Sequence, residues 1–129
     1  MASLFLIFNH SFTPEQKKDA QINLGIHNFI EMPRYLKEIW ANIPPNLESI
    51  SSFIDPIKKW LMENSSPFDF VLIQGELGAS YILVNFAFQN SLIPIYSTTV
   101  RKAIEELQPD GSIKLVHCFK HERFRKYGV

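Results

Sequence analysis

Leu4-Phe5-Leu6-Ile7-Phe8 is apolar at every position, and Phe68-Asp69-Phe70-Val71-Leu72-Ile73 and Leu92-Ile93-Pro94-Ile95-Tyr96 are nearly so. Apolar runs without alternation suit strands covered on both faces, as in a parallel sheet flanked by helices. His27-Asn28-Phe29-Ile30-Glu31 is a weaker fourth candidate. The segments between these runs read as helices. Thr13-Pro14-Glu15-Gln16 supplies an N-cap, a Pro in the first turn and a capping-box Gln, opening a helix that should stop at Gly25. Leu36, Ile39 and Trp40 form one side of a short helix bracketed by Pro33 and Pro44-Pro45. Leu47 to Asn64 carries a stripe of Phe53, Ile54, Ile57, Trp60 and Leu61, with Pro56 implying either a kink or a new helix capped by Asp55.

After Gln74-Gly75-Glu76-Leu77-Gly78 comes a helix apolar on nearly all sides, running to about Phe88; such a helix is central or pressed against another subunit. Pro109-Asp110-Gly111 is a turn signature between Thr98–Leu107 and Ser112–Lys120, which read as an antiparallel hairpin. The expected order is β-α-β-α-α-β-α-β-β-β. That order gives an α/β fold, with a mostly parallel sheet flanked by helices and a C-terminal β-hairpin.

The 129 residues suffice for one domain that buries roughly 68% of its unfolded-chain surface without disulfide or metal support. With 46% hydrophobic and 20% charged residues the chain is unlike a disordered one. Thirteen basic residues balance thirteen acidic ones, so a polyanion must be met by a local patch. The lone Cys118 excludes an internal disulfide and reads as a small buried hydrophobe in a reducing compartment. No apolar stretch reaches membrane-spanning length, and Met1-Ala2-Ser3-Leu4-Phe5 lacks signal-peptide features, so a cytoplasmic protein is expected. The histidines at 10, 27, 117 and 121 have no metal-ligand spacing, and neither a metal nor another cofactor is expected.

Ligands of open α/β sheets bind beyond the carboxyl ends of the strands. That rule selects Asn9-His10-Ser11-Phe12-Thr13, Gln74-Gly75-Glu76-Leu77-Gly78 and Ser97-Thr98-Thr99-Val100-Arg101. Helix starts there are natural anion sites. Gly75 and Gly78 would admit a phosphate to the backbone, or merely make a tight turn; Glu76 would cap the helix or bond a ribose hydroxyl or adenine amine. His10 is either a structural hydrogen-bonder or a proton carrier beside a phosphate. Lys114 to Lys126 holds five Lys/Arg and one acid, interleaved with Phe119, Phe124 and Tyr127. This is a phosphate- and base-binding surface or a charge-protected edge strand.

Taken together, Phe8-Asn9-His10, Gln74 through Tyr81, Ser97 through Arg101 and Phe119 through Arg125 give the whole chain a family likeness. It resembles the small stand-alone Csx-type accessory proteins of type III CRISPR systems, ring nucleases with a CARF-like, Rossmann-like fold. The resemblance implies a single CARF-like domain over residues 1–129, acting as a homodimer. It implies binding of a cyclic oligoadenylate, cyclic tetra-adenylate foremost, and cleavage to linear di-adenylate species that silences the messenger. Neither a membrane nor duplex nucleic acid is an expected partner. Such cleavage needs no metal, because the ribose 2′-hydroxyl attacks the adjacent phosphorus in line. On this reading Arg101 stabilises phosphoryl charge, and Asn9 and His10 orient the hydroxyl or move its proton. Ser11, Gln74, Gly75, Glu76, Gly78, Thr98 and Thr99 bind the ligand, and His121, Arg123 and Arg125 close over it. The alternative is a protein that binds the same ring, as buffer or sensor, without cutting it.

Overall fold

The three apolar runs supply neighbouring strands of one sheet. In the computed structural model, which describes residues 1–129, the elements are β1 (Ser3–Ile7), α1 (Pro14–Leu24), β2 (Asn28–Glu31), α2 (Arg34–Ala41), α3 (Ser51–Asn64), β3 (Phe70–Ile73), α4 (Leu77–Gln89), β4 (Ile93–Leu107) and β5 (Ile113–Lys126). The sheet order is β2-β1-β3-β4-β5. β1 pairs in parallel with β2 and β3, β3 pairs in parallel with β4, and β4–β5 is antiparallel. The protein is thus α/β, with a mostly parallel five-stranded sheet ending in an antiparallel pair.

Successive side chains of β1 explain why its apolar run is unbroken. Phe5 and Ile7 enter one core with Trp40, Ile54, Ile57, Leu61 and Leu83, under α2, α3 and α4. Leu4 and Leu6 enter the other with Ala20, Ile26, Leu72 and Ile95, under α1. The capping box at Thr13 forms as expected, with Gln16 N–H donating to Thr13 Oγ1 and Thr13 N–H to Gln16 Oε1. Gly25 closes α1 at φ 67°, a left-handed conformation that glycine adopts without steric cost. α3 begins at Ser51 rather than Leu47 and runs as one helix through Pro56, so Asp55 caps no second helix. α4 buries Ala79, Leu83, Val84 and Ala87 and leaves Leu77, Tyr81 and Phe88 exposed. No helix is long and apolar enough to cross a membrane.

The largest departure concerns β4. The expected fourth strand and the first hairpin strand are a single strand of 15 residues, so the order ends in two strands and not three. β3 supports β4 only through Ile95; beyond it, β4 and β5 continue as a two-stranded arm. Ten residues of β4, Thr98 to Leu107, reach about 30 Å past the sheet at the usual strand rise. Ser97 through Arg101 therefore lie inside a strand, not on a loop.

At the opposite end of the sheet, Asp69 is buried and accepts from Ser3 N–H at 2.9 Å and Ser66 N–H at 2.8 Å. One carboxylate thereby ties the start of β1 to the turn before β3. Asp69→Ala leaves both amides without their acceptor and is expected to cost about 2 to 3 kcal/mol. Urea unfolding checks this; a loss near zero would mean that the clamp contributes nothing.

Candidate functional site

All the parallel strands end at one rim. Phe8–Ser11 follows β1, Pro33-Arg34 follows β2, Gln74–Gly78 follows β3, and β4 leaves the sheet at Tyr96-Ser97. β1 and β3 are neighbours, yet the first hands the chain to α1 on one face and the second to α4 on the other. Such a divergence opens a crevice at the carboxyl ends of the two strands.

Beside that crevice lies a cavity of about 380 Å³ lined by Asn9, His10 and Ser11 together with Arg34 and Lys37 of α2 and the carboxylates Glu31 and Glu38. Arg34 pairs with Glu38 at 3.5 Å and Lys37 with Glu31 at 3.3 Å. These side chains are half to fully exposed, and pairs of this kind are worth at most about 1 kcal/mol, so both cations can break their pairs at little cost, while the two carboxylates remain in the cavity. Arg34 and Lys37 escaped the sequence reading. The signal was present, because Arg34 stands just past the carboxyl end of the weak strand candidate that became β2.

The turn after β3 is more occupied than expected. A Cβ on Gly75 would stand 2.7 Å from the Trp40 indole, whose Nε1 donates to Gln74 O at 3.0 Å. Gly75 is thus required by Trp40, which fills the crevice on that side. Glu76 caps α4, its carboxylate accepting from Gly78 N–H and Ala79 N–H. Its oxygen also lies 3.1 Å from where a Cβ on Gly78 would be. The first amides of α4 are therefore engaged by the chain's own anion. Gln74 Oε1 accepts from Ser97 N–H at 2.8 Å, which joins β3 to β4.

A second cavity, about 440 Å³, opens between α4 and β4. Tyr81, Tyr96 and Tyr127 line it with Gln74 and Ser80, and the buried Ser80 Oγ has no hydrogen-bond partner. Tyr127 OH donates to Ile73 O at 2.6 Å, and burial, helped by Tyr96, raises its pKa above the usual 10.0. Arg125 Nη1 donates to Tyr96 OH at 3.2 Å, and its guanidinium lies 5.7 Å from that ring's centre.

The base of the arm is a latch. Asp19 Oδ2 lies 2.7 Å from His121 Nε2 and accepts from Phe124 N–H at 3.3 Å. An Nε2–H directed at Asp19 leaves His121 Nδ1 as acceptor for the Ser97 hydroxyl, 2.5 Å away. Burial opposes the Asp19 charge, but hydrogen bonds from Asn23, His121 and Phe124, with the attraction of His121 whenever its ring is protonated, outweigh it and hold its pKa below 3.8. With its side chain only 6% exposed, His121 fastens β5 to α1 and is not free to close over a ligand. Ser97 and His121 line neither the rim cavity nor the tyrosine cavity. Thr98 Oγ1 both donates to Arg123 O at 2.8 Å and accepts from Arg123 N–H at 3.2 Å, closing the bulge between Thr98 and Thr99.

The structure therefore brings Asn9, His10 and Ser11 together, and Gln74 and Gly75 with the tyrosines. Thr98, Thr99, His121 and Arg123 meet at the arm base. Arg101 stands further out, opposite Phe119, its exposed side chain without a hydrogen bond or ion pair in the chain. Cys118, expected to be buried, is also exposed on the arm. No group of three His, Cys, Asp or Glu side chains is placed to hold a metal ion.

Residues 2–125 match the model described as the Uncharacterized protein MJ1673 family. The chain is 48% identical over 127 residues to the Uncharacterized protein MJ1673 of Methanocaldococcus jannaschii, covering 98% of each chain. No solved structure matches it. The chain belongs to the MJ1673 family.

Gly75→Ala should destabilise the fold by about 1 to 3 kcal/mol through overpacking against Trp40, measured as a lowered urea midpoint. An unchanged midpoint would show that Trp40 yields freely. Asp19→Asn should cost about 1 to 3 kcal/mol at neutral pH. Because folding lowers the Asp19 pKa, its contribution is complete above the unfolded value and fades as pH falls through the folded one. The gap between wild type and Asp19→Asn in urea titrations should therefore narrow below about pH 4. A gap independent of pH would contradict the latch.

Proposed function

We propose that this chain is a CARF-like, Rossmann-type ring nuclease of the cytoplasm, a homodimer that cleaves cyclic tetra-adenylate to linear di-adenylate species in type III CRISPR signalling. The observation that carries the reading is the convergence of Asn9, His10, Ser11, Arg34 and Lys37 on one rim cavity beside the β1–β3 divergence. In the reaction, the ribose 2′-oxygen bonds to phosphorus and the 5′-oxygen leaves, giving a 2′,3′-cyclic phosphate and a 5′-hydroxyl. Arg34 and Lys37 release their glutamates to the phosphoryl oxygens and take the charge-stabilising role first given to Arg101. Asn9 and Ser11 align the 2′-hydroxyl, His10 takes its proton, and the departing 5′-oxygen takes a proton from water. Holding the three reacting atoms in line contributes several kcal/mol, and one well-placed donor about 3 to 4 kcal/mol. An adenine stacks among Tyr81, Tyr96 and Tyr127, with the unpartnered Ser80 hydroxyl and the Gln74 amide to meet its edge.

One observation favours the non-catalytic alternative. His10 makes no hydrogen bond to an orienting group, whereas bases in such reactions are usually held by a third residue. Labelled cyclic tetra-adenylate incubated with excess protein and chelator separates the two. The nuclease yields linear di-adenylate at an undiminished rate with chelator present, and Arg34→Ala with Lys37→Ala slows it more than about tenfold. A ring that stays intact throughout a long single-turnover incubation leaves only binding.

A further inference from the structure

The β4–β5 arm has two unlike faces. Pairing and strand alternation place Lys102, Lys114, Arg123 and Arg125 on the α4 side, among Val100, Ile104 and Glu106, with Arg125 opposite Tyr96 of the tyrosine cavity. On the α1 side lie Ala103, Leu107, Ile113, Leu115 and Phe119, the last four each more than half exposed. A two-stranded ribbon is marginal in water unless its apolar face is covered, and within this chain nothing covers it.

The charges on this face specify the cover. Arg101 and Glu105 lie two residues either side of Ala103, which pairs with His117. We infer that this face docks on the same face of a second copy, with the arms antiparallel about a two-fold axis that crosses the ribbon at Ala103 and His117. That axis sets Arg101 over the partner's Glu105 and Glu105 over the partner's Arg101. It also lays Phe119 over the partner's Leu115. A two-fold axis running along the strands would instead press Glu105 against the partner's Leu115, burying a carboxylate without a partner. The antiparallel arrangement leaves the basic faces outward and points each arm back toward the other copy's rim. The inference rests on the homodimer of the proposed function, and a mass measured without nucleotide separates its failure from that of the nuclease reading.

Light scattering on the full chain, over a dilution series, should give twice the 15.0 kDa chain mass. Arg101→Glu and Glu105→Arg should each weaken the dimer by at least about tenfold, and the double reversal should restore it. Leu115→Asp should yield monomer with an unchanged circular dichroism spectrum. A monomeric wild type overturns the inference. So does a double variant no tighter than the singles, or a dimer indifferent to Leu115→Asp.

Discussion

The architecture turns on one adjacency: β1 beside β3, parallel, with the helices that follow on opposite faces of the sheet. Parallel pairing forces every connection to travel the length of the sheet, so all turns that follow strands gather at one end. Divergence at the central pair keeps those turns from covering each other. The cavity lined by Asn9, His10, Ser11, Arg34 and Lys37 lies on the β2 side of that divergence, between the turn after β1 and α2. The buried Asp69 clamp at the far end holds the same strands in register.

Much of this was legible because covered strands carry a strong signal. Residues on both faces of β1 must be apolar, and Leu4 to Phe8 has no other simple reading. The capping box at Thr13 and the turn at Asp110-Gly111 were equally plain, since each depends on contacts within a few residues. The continuity of β4 was not. Its inner half is buried and its outer half solvated, so the hydropathy pattern changes at Ser97 while the backbone does not.

The site was less legible than the fold, for a related reason. Gly75 and Glu76 read equally as a ligand cradle or as a tight turn and a helix cap, and Trp40 and the amides of α4 decide for the second within the chain. The Gly75–Trp40 contact spans more than thirty residues, and no local pattern announces it. His121 was likewise drawn to a ligand when its partner, Asp19, lies on a helix far away in sequence. Arg34 and Lys37 were missed because β2 is short and half exposed, which weakened the strand that positions them. The arm leaves Leu107, Ile113, Leu115 and Phe119 in water, and that exposure is the ground for the proposed docking of two copies.

The proposed ligand site is the rim beside the β1–β3 divergence, at the turn after β1 and the start of α2. Backbone amide NMR on titration with cyclic tetra-adenylate tests it directly. Shifts should cluster at residues 9–11, 33–37 and 74–81 and at the arm base. Shifts confined to the opposite end, around Ser66, Phe68 and Phe88, or no shifts at all, would contradict it.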